Sequence, residues 1–131
     1  MPKILTSPAA AGLLALSMAA PVHAAASDFE FQSVARTVKN GPGSELSVKL
    51  IDKRTGQPVP GAVVFRTRLD MSPDSMGEME AKHEPLPSSE PGIYRFKADF
   101  TMAGGWAFTL QAKVPGEAET VEGSVVFQAK D

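Results

Sequence analysis

Six stretches of the chain alternate apolar and polar residues with a period of two, the pattern of a strand that buries one face. Breaks rich in Gly and Pro, such as Asn40-Gly41-Pro42-Gly43 and Thr55-Gly56-Gln57-Pro58, separate these stretches. No window after residue 26 keeps a helical period over three turns. The pattern predicts an all-β fold, an immunoglobulin-like antiparallel β-sandwich of six to seven strands. The positions predicted to face inward are Phe29, Phe31, Leu46, Val48, Leu50, Val63, Phe65, Thr67, Leu69, Tyr94, Phe96, Ala98, Phe100, Trp106, Phe108, Leu110, Val121, Gly123, Val125 and Phe127.

One connection interrupts this even spacing. Residues 72–91 hold four prolines and glycines besides Pro91 and few apolar side chains, so they are predicted to form one long loop. Loops of this length in compact domains are usually functional or disordered. This segment also carries Met76, Met79 and His83.

Residues 1–26 have the features of a secretory signal peptide. Lys3 precedes an apolar run over residues 9–20, and small residues follow it, with cleavage expected after Ala24 or Ala26. A bilayer span needs about 20 apolar residues, more than this run provides. The sequence therefore predicts an exported, soluble, periplasmic or otherwise extracytoplasmic domain over residues 27–131, with no stable membrane span after cleavage.

Composition excludes several classes of site. The chain has 131 residues, a net charge of −2 and no basic stripe, which argues for one domain and against a nucleic-acid partner. Its lack of cysteine excludes disulfides, thiolate zinc sites and cysteine nucleophiles. His83 is the one histidine after residue 26, with no nucleophile elbow or phosphate-binding loop, so we do not expect an enzyme. The acidic residues Asp70, Asp74, Glu78 and Glu80 lack a Ca²⁺-loop pattern and are expected to keep the loop soluble.

The remaining candidate chemistry is that of a soft metal. Four of the six methionines follow residue 26, namely Met71, Met76, Met79 and Met102. Cu(I) favours thioether and imidazole ligands, which survive in an oxidising compartment where thiols do not. Met76, Met79 and His83 are spaced three and four apart, so one short helical turn would place them on a single face.

Each candidate also has a purely structural interpretation. Met71 continues the inward series of its strand and Met102 that of the strand before it, so core packing is the first expectation for both, with ligation at a strand end as the alternative. Met76 and Met79 have no apolar neighbours in sequence, and core burial explains them poorly; ligation or another binding role remains open. Trp106 is predicted to be a core residue.

Four segments carry a resemblance to a known family. They are Thr55-Gly56-Gln57-Pro58-Val59-Pro60-Gly61-Ala62, Asp70-Met71 followed by Met76-Gly77, Pro91-Gly92-Ile93-Tyr94, and Phe100-Thr101-Met102-Ala103-Gly104-Gly105-Trp106. Over most of residues 27–131 the sequence resembles the YtkA-like domain family, which is related to FixH-like proteins. The resemblance implies an exported β-sandwich linked with copper or other heavy-metal transport and with oxidase maturation. It also implies that Met71, Met76 and Met102 lie at the metal-facing end.

Two hypotheses of function follow. In the first, the domain binds or transfers copper(I) or a similar soft metal in support of a membrane metal-efflux or oxidase-assembly complex. Its primary ligands are Met76 and Met79, and His83, Met71 or Met102 completes the site. In the second, the domain is metal-free and docks on a membrane transport complex through the loop or an exposed sheet edge.

Overall fold

The computed structural model describes residues 26–131, so the predicted signal peptide lies outside the described residues except for Ala26. Two short 3-10 turns, Ala26–Asp28 and Ser72–Asp74, are the helical elements of this part. No helix in it has the length and apolar character that a bilayer crossing requires. The ten strands are β1 (Phe29–Ser33), β2 (Thr37–Lys39), β3 (Ser44–Asp52), β4 (Gln57–Pro58), β5 (Val63–Met71), β6 (Met76–Glu80), β7 (Lys82–Leu86), β8 (Ile93–Asp99), β9 (Gly104–Lys113) and β10 (Val121–Lys130).

The strands form two sheets packed as a sandwich. One sheet has the order β1-β3-β8-β7, with β4 pairing to β3, and the other has the order β2-β10-β9-β5-β6. Neighbours are antiparallel except β2, which runs parallel to β10. This arrangement confirms the predicted all-β, immunoglobulin-like sandwich. The six strands marked by alternation are β1, β3, β5, β8, β9 and β10, while the shorter β2, β4, β6 and β7 were not predicted.

Side chains from both sheets fill the space between them. Trp106, Phe108 and Phe127 are completely buried, and the alternating residues of β1, β3, β8 and β10 join them in one apolar cluster. Trp106 donates its indole N–H to the carbonyl oxygen of Met102 at 3.0 Å, which satisfies the polar atom of an otherwise apolar ring. The prediction that Trp106 is a core residue is confirmed.

The prediction of one long loop over residues 72–91 is wrong. The segment contains a 3-10 turn and two strands, because β6 pairs with the end of β5 and β7 pairs with β8. Only Ala81 separates β6 from β7, so the chain passes from one sheet to the other in a single residue. Pro85 argues against a strand at this position in the sequence. However, β7 is an edge strand, and an edge strand tolerates proline where the backbone N–H would face away from the neighbouring strand.

The strand β5 also differs from its predicted phase. Val63 and Phe65, expected to face inward, are 62% and 49% exposed. The pairing of β5 with β9 shifts between Val64 and Arg66, which is the mark of a β-bulge. The extra residue reverses the alternation, so Val64 packs against the core before the bulge and Leu69 after it.

Candidate functional site

Met71 and Met76 lie directly opposite each other at the turn that joins β5 to β6. Side chains of directly opposed residues in antiparallel strands lie on the same face, with Cα atoms about 4.5–5.5 Å apart. Met71 is completely buried, as predicted, and Met76 is half-buried against the core. The hairpin therefore directs two thioethers to the inner face at one end of the sandwich.

Met79 faces the same interior, although it is three residues from Met76. In a regular strand an odd separation would place the two side chains on opposite faces. Here the pairing jumps from Met71–Met76 to Asp70–Glu80, which leaves extra residues in β6. This irregularity lets both Met76 and Met79 pack against the core. The expectation of a helical turn over Met76, Met79 and His83 is wrong, because the first two lie on β6 and the third on β7.

Met102 lies in the connection between β8 and β9, next to the same end. Two residues later, Gly104 comes so close to Met71 that a methyl group on Gly104 would lie 2.8 Å from Met71 Cε. Met102 is 41% exposed, so the expectation that it packs in the core is wrong. Its backbone is nevertheless fixed by the hydrogen bond from Trp106. Met71, Met76, Met79 and Met102 are called the methionine end below.

Two carboxylates shape the turn beneath the methionine end. Asp70 Oδ1 accepts a hydrogen bond from the Ser72 backbone N–H at 2.9 Å, and its Oδ2 pairs with Arg68 at 2.6 Å. Burial opposes ionisation of Asp70, but the hydrogen bonds from Ser72 and Arg68 outweigh it and hold its pKa below the ordinary value. Asp74 Oδ2 accepts the backbone N–H of Gly105 at 3.0 Å. These acids position the turn, a role beyond the solubility expected of them.

His83 lies apart from the methionine end. Its Nδ1 is 3.0 Å from the Ala81 carbonyl oxygen, which can only accept, so Nδ1 carries a proton. Its Nε2 is 2.6 Å from Thr67 Oγ1, and the ring meets Phe108 edge-on. Thr67 precedes Met71 by four strand residues, which is about 13 Å at the usual strand rise. The structure thus brings Met71, Met76 and Met79 to the inner face of the hairpin, whereas His83 pairs with Thr67.

The donor set of the methionine end is soft. Among residues 26–131 there is no group of three His, Asp or Glu side chains able to hold a metal ion. Hard cations and Zn²⁺ depend on such oxygen and nitrogen ligands, whereas Cu(I) accepts thioethers. Two opposed thioethers with a third packed against the same core therefore fit a soft monovalent ion better than they fit a hard one.

A comparison with protein-family models gives one match over more than half of the chain. The model of the YtkA-like family matches residues 23–111, which include the whole β5–β6 hairpin, His83 and Met102. The chain belongs to the YtkA-like family. The match confirms the resemblance found in the sequence, and it places all four methionines of the methionine end inside the YtkA-like region. No curated protein matches the chain.

Three solved structures are similar to this YtkA-like chain at low identity. The ZirS C-terminal domain is 10% identical, with 97% of this chain and 83% of that one covered and a TM-score of 0.44. The filamin domain of Lin-41 is 16% identical, with coverage of 78% and 97% and a TM-score of 0.40. A conjugative transposon lipoprotein from Bacteroides eggerthii is 14% identical, with coverage of 79% and 98% and a TM-score of 0.34.

Sequence reasoning missed one surface of the YtkA-like domain, the outer edge of β5. The sequence contains an indication of this edge in Val63, Val64 and Phe65. These are three consecutive apolar residues, which cannot all face inward in a regular strand. The same stretch ends in Arg66, which is exposed and has no ion-pair partner among residues 26–131.

Proposed function

We propose that this YtkA-like domain is an exported module that binds copper(I), or a similar soft metal, at the methionine end. The observation that supports the proposal most directly is the opposed pair Met71–Met76 on one face of the hairpin. Met79 packs on the same side, and Met102 lies two residues before Gly104, which is close to Met71. Four thioethers at one end of a cysteine-free domain suit a soft ion in an oxidising compartment.

The ligands have different parts in the proposed site. Met76 and Met79 are half-buried on an edge strand, so their flexible side chains can turn toward an ion at small cost to packing. Met71 is buried and fixes one side of the site. Met102 is exposed, and it supplies the side from which an ion enters or leaves. The apolar core forms without the ion, so we do not expect folding of the domain to require it.

His83 is not among the ligands that the geometry favours. Both of its ring nitrogens have hydrogen-bond partners. One of these partners is Thr67, which lies about 13 Å along β5 from Met71. Met102 is the better candidate to complete a site built on Met71, Met76 and Met79. This assigns His83 a structural role between the sheets.

The predicted signal peptide and the family support an extracytoplasmic setting for the proposal. A metal site at one end of a rigid sandwich can present its ion to a membrane-bound acceptor. Transfer to, or buffering for, a metal-efflux or oxidase-assembly complex is the task we propose. A single entry side at Met102 suits handover by ligand exchange, in which acceptor thioethers replace those of the donor one by one.

Copper(I) titration of the purified protein against a competing chelator, without oxygen, tests the proposal. The key variant is the double substitution Met76→Leu and Met79→Leu, which removes two thioethers but keeps apolar volume on the core. We expect one ion per chain and a loss of affinity of tenfold or more in the variant. His83→Gln is the control and should bind as the wild type does. Equal affinity in the double variant, with its thermal unfolding unchanged, would overturn the ligand assignment.

A further inference from the structure

The β5 edge that sequence reasoning missed borders a partly apolar groove between the two sheets. The groove has a volume of about 600 Å³ and lies between β5 on one side and β7 with β8 on the other. Its apolar lining comes mainly from Val64, Phe65, Leu86, Ile93, Tyr94 and Phe96. We call this the β5 groove. It is separate from the methionine end, and binding there would require no metal.

One wall of the β5 groove is a strand edge with unpaired backbone groups. The strand β6 pairs only with Asp70 and Met71, and no other strand of residues 26–131 pairs with this side of β5. Leu69 directs its carbonyl oxygen outward to Ala81, and by alternation Thr67 directs its N–H and C=O the same way. About six residues, or roughly 20 Å of strand, are therefore open to a further strand.

On the β8 side of the groove, the hydroxyl of Tyr94 is held by two hydrogen bonds. Tyr94 O–H donates to the Val59 carbonyl oxygen at 2.7 Å and accepts the Ala62 N–H at 2.9 Å. These bonds fix the connection that leads into β5, and burial raises the pKa of Tyr94, which keeps the hydroxyl protonated. A groove whose wall is already fixed loses little conformational entropy when a ligand binds.

Exposed strand edges are often protected against pairing by bulges and charges. The bulge at Phe65 does not act in this way, because it turns two large apolar side chains, Val63 and Phe65, toward solvent beside the groove. Arg66 and Arg68 are charged residues of this edge, but a purely protective edge would not also expose Val63 and Phe65 beside them. The combination of free backbone groups, exposed apolar side chains and an apolar groove is instead that of a strand-addition site.

The charges at the groove indicate the chemistry of its occupant. Arg95 is held by Glu45 through two hydrogen bonds of 2.8 and 2.7 Å. Glu90 lies in the connection between β7 and β8. Arg66, next to the free edge, has no ion-pair partner in the described part of the chain. A carboxylate on the added strand would pair with it.

We infer that the β5 groove binds an extended segment of a partner protein, which adds as a strand to the outer edge of β5. Alternate apolar side chains of that segment enter the groove, and an acidic side chain of it pairs with Arg66. The interaction is a second, metal-independent binding function of the domain.

Selection from a random 12-residue peptide library displayed on phage, against the purified protein, tests this inference. We expect enriched peptides that alternate apolar and polar residues and contain Asp or Glu. When synthesised, they should shift the backbone amide signals of Thr67 and its β5 neighbours. N-methylation of the alternate peptide residues whose N–H groups face β5 should abolish binding, because it removes the donors to the β5 edge and keeps the side chains, whereas N-methylation of the other alternate residues should not.

Two variants with matched controls locate the site. Arg66→Glu should weaken peptide binding at least tenfold, whereas Lys39→Glu, on the opposite edge of the same sheet, should not. Phe65→Ala should weaken it severalfold, whereas Val126→Ala, which removes a side chain of nearly equal exposure (46%), should not. All four positions are exposed or edge positions, and thermal unfolding verifies that each variant is folded.

Several outcomes would overturn the inference. They are the absence of enriched peptides, peptides that bind the Arg66 and Phe65 variants as tightly as the wild type, and amide shifts confined to another edge. A dimer in sedimentation that Phe65→Ala dissociates would make a second copy the occupant instead. Because the copper(I) titration uses other residues and another readout, each proposal can fail without the other.

Discussion

Thr67 and His83 join the two sheets through a hydrogen bond of 2.6 Å between Oγ1 and Nε2. Thr67 belongs to β5 and His83 to β7, so this bond crosses the space that apolar side chains otherwise fill. In the neutral ring the hydroxyl donates to Nε2, because Nδ1–H is already directed to the Ala81 carbonyl oxygen. The bond holds the two walls of the β5 groove together at its inner end.

Removing this hydroxyl should destabilise the domain. Thr67→Val keeps the shape of the side chain but leaves the half-buried Nε2 without a donor, at a cost of about 1–2 kcal/mol. Chemical denaturation at pH 7 measures the loss. Thr109→Val is the matched control, since its hydroxyl makes only a 3.4 Å bond to Ser124, and it should change stability little. Equal effects of the two substitutions would contradict a specific role for the Thr67–His83 bond.

Asp70 should make stability depend on pH. Its folded pKa is below the ordinary value, so its stabilising contribution is complete above about pH 4 and is lost as the pH falls through the folded pKa. Asp70→Asn should therefore cost about 1–2 kcal/mol at pH 7, and the difference from wild type should shrink in acid. Denaturant unfolding between pH 2 and 7 measures this.

The control for Asp70 is Glu78→Gln, an exposed carboxyl on β6 of the same hairpin. It should leave the unfolding free energy at pH 7 nearly unchanged. If Asp70→Asn lowers stability by the same amount in acid as at neutral pH, the charge of Asp70 is not what stabilises the turn.

Gly104 should resist substitution because of its surroundings as well as its backbone. Its φ is +142°, and a methyl group there would collide with Asp74 Oδ2 and with Met71 Cε. Gly116→Ala is the matched control, since its φ is +84° but it has nothing within 4 Å. Both should lose stability from backbone strain, and Gly104→Ala should lose about 1–3 kcal/mol more. Similar melting temperatures for the two variants would show that the β9 start and the turn are not tightly packed.

Copper(I) should stabilise the domain by mass action if the methionine end binds it. At a free concentration 100 times the Kd, the expected gain is about 2.7 kcal/mol. Thermal unfolding without oxygen, with and without the ion, measures it. In the double variant Met76→Leu and Met79→Leu, a tenfold or larger loss of affinity should reduce this gain by at least about 1.3 kcal/mol. A gain that persists undiminished in the double variant would point to binding elsewhere.

The long strands of the sandwich could be predicted from the sequence, because a strand that buries one face alternates apolar and polar side chains. Phe29 and Phe31 in β1, or Phe96 and Ala98 in β8, show which face is buried from alternation alone. The phase of β5 could not be predicted in the same way, because a bulge depends on the pairing partner β9 and not on β5 itself. Phe65 was therefore assigned to the core and lies at the surface.

The candidate site was predictable in composition but not in arrangement. The methionines stood out by their number, and Met71 was correctly expected inside. Met76 and Met79 were assigned to a loop because β6 is short, lies between turns and carries charges on its outer face. Their packing depends on where the hairpin closes, which is a tertiary property. His83 was grouped with them by sequence distance, yet the passage to the other sheet after Glu80 separates it from them.

That passage consists of Ala81 alone. Its N–H is buried and donates to the Leu69 carbonyl oxygen at 3.0 Å. Hydrogen exchange at this amide requires the crossing to open, and with no spare chain on either side, opening disturbs the pairing of β6 and of β7 together. Edge strands usually fray one at a time. We therefore expect the hairpin that carries Met76 and the strand that carries His83 to open together, as one unit of local unfolding.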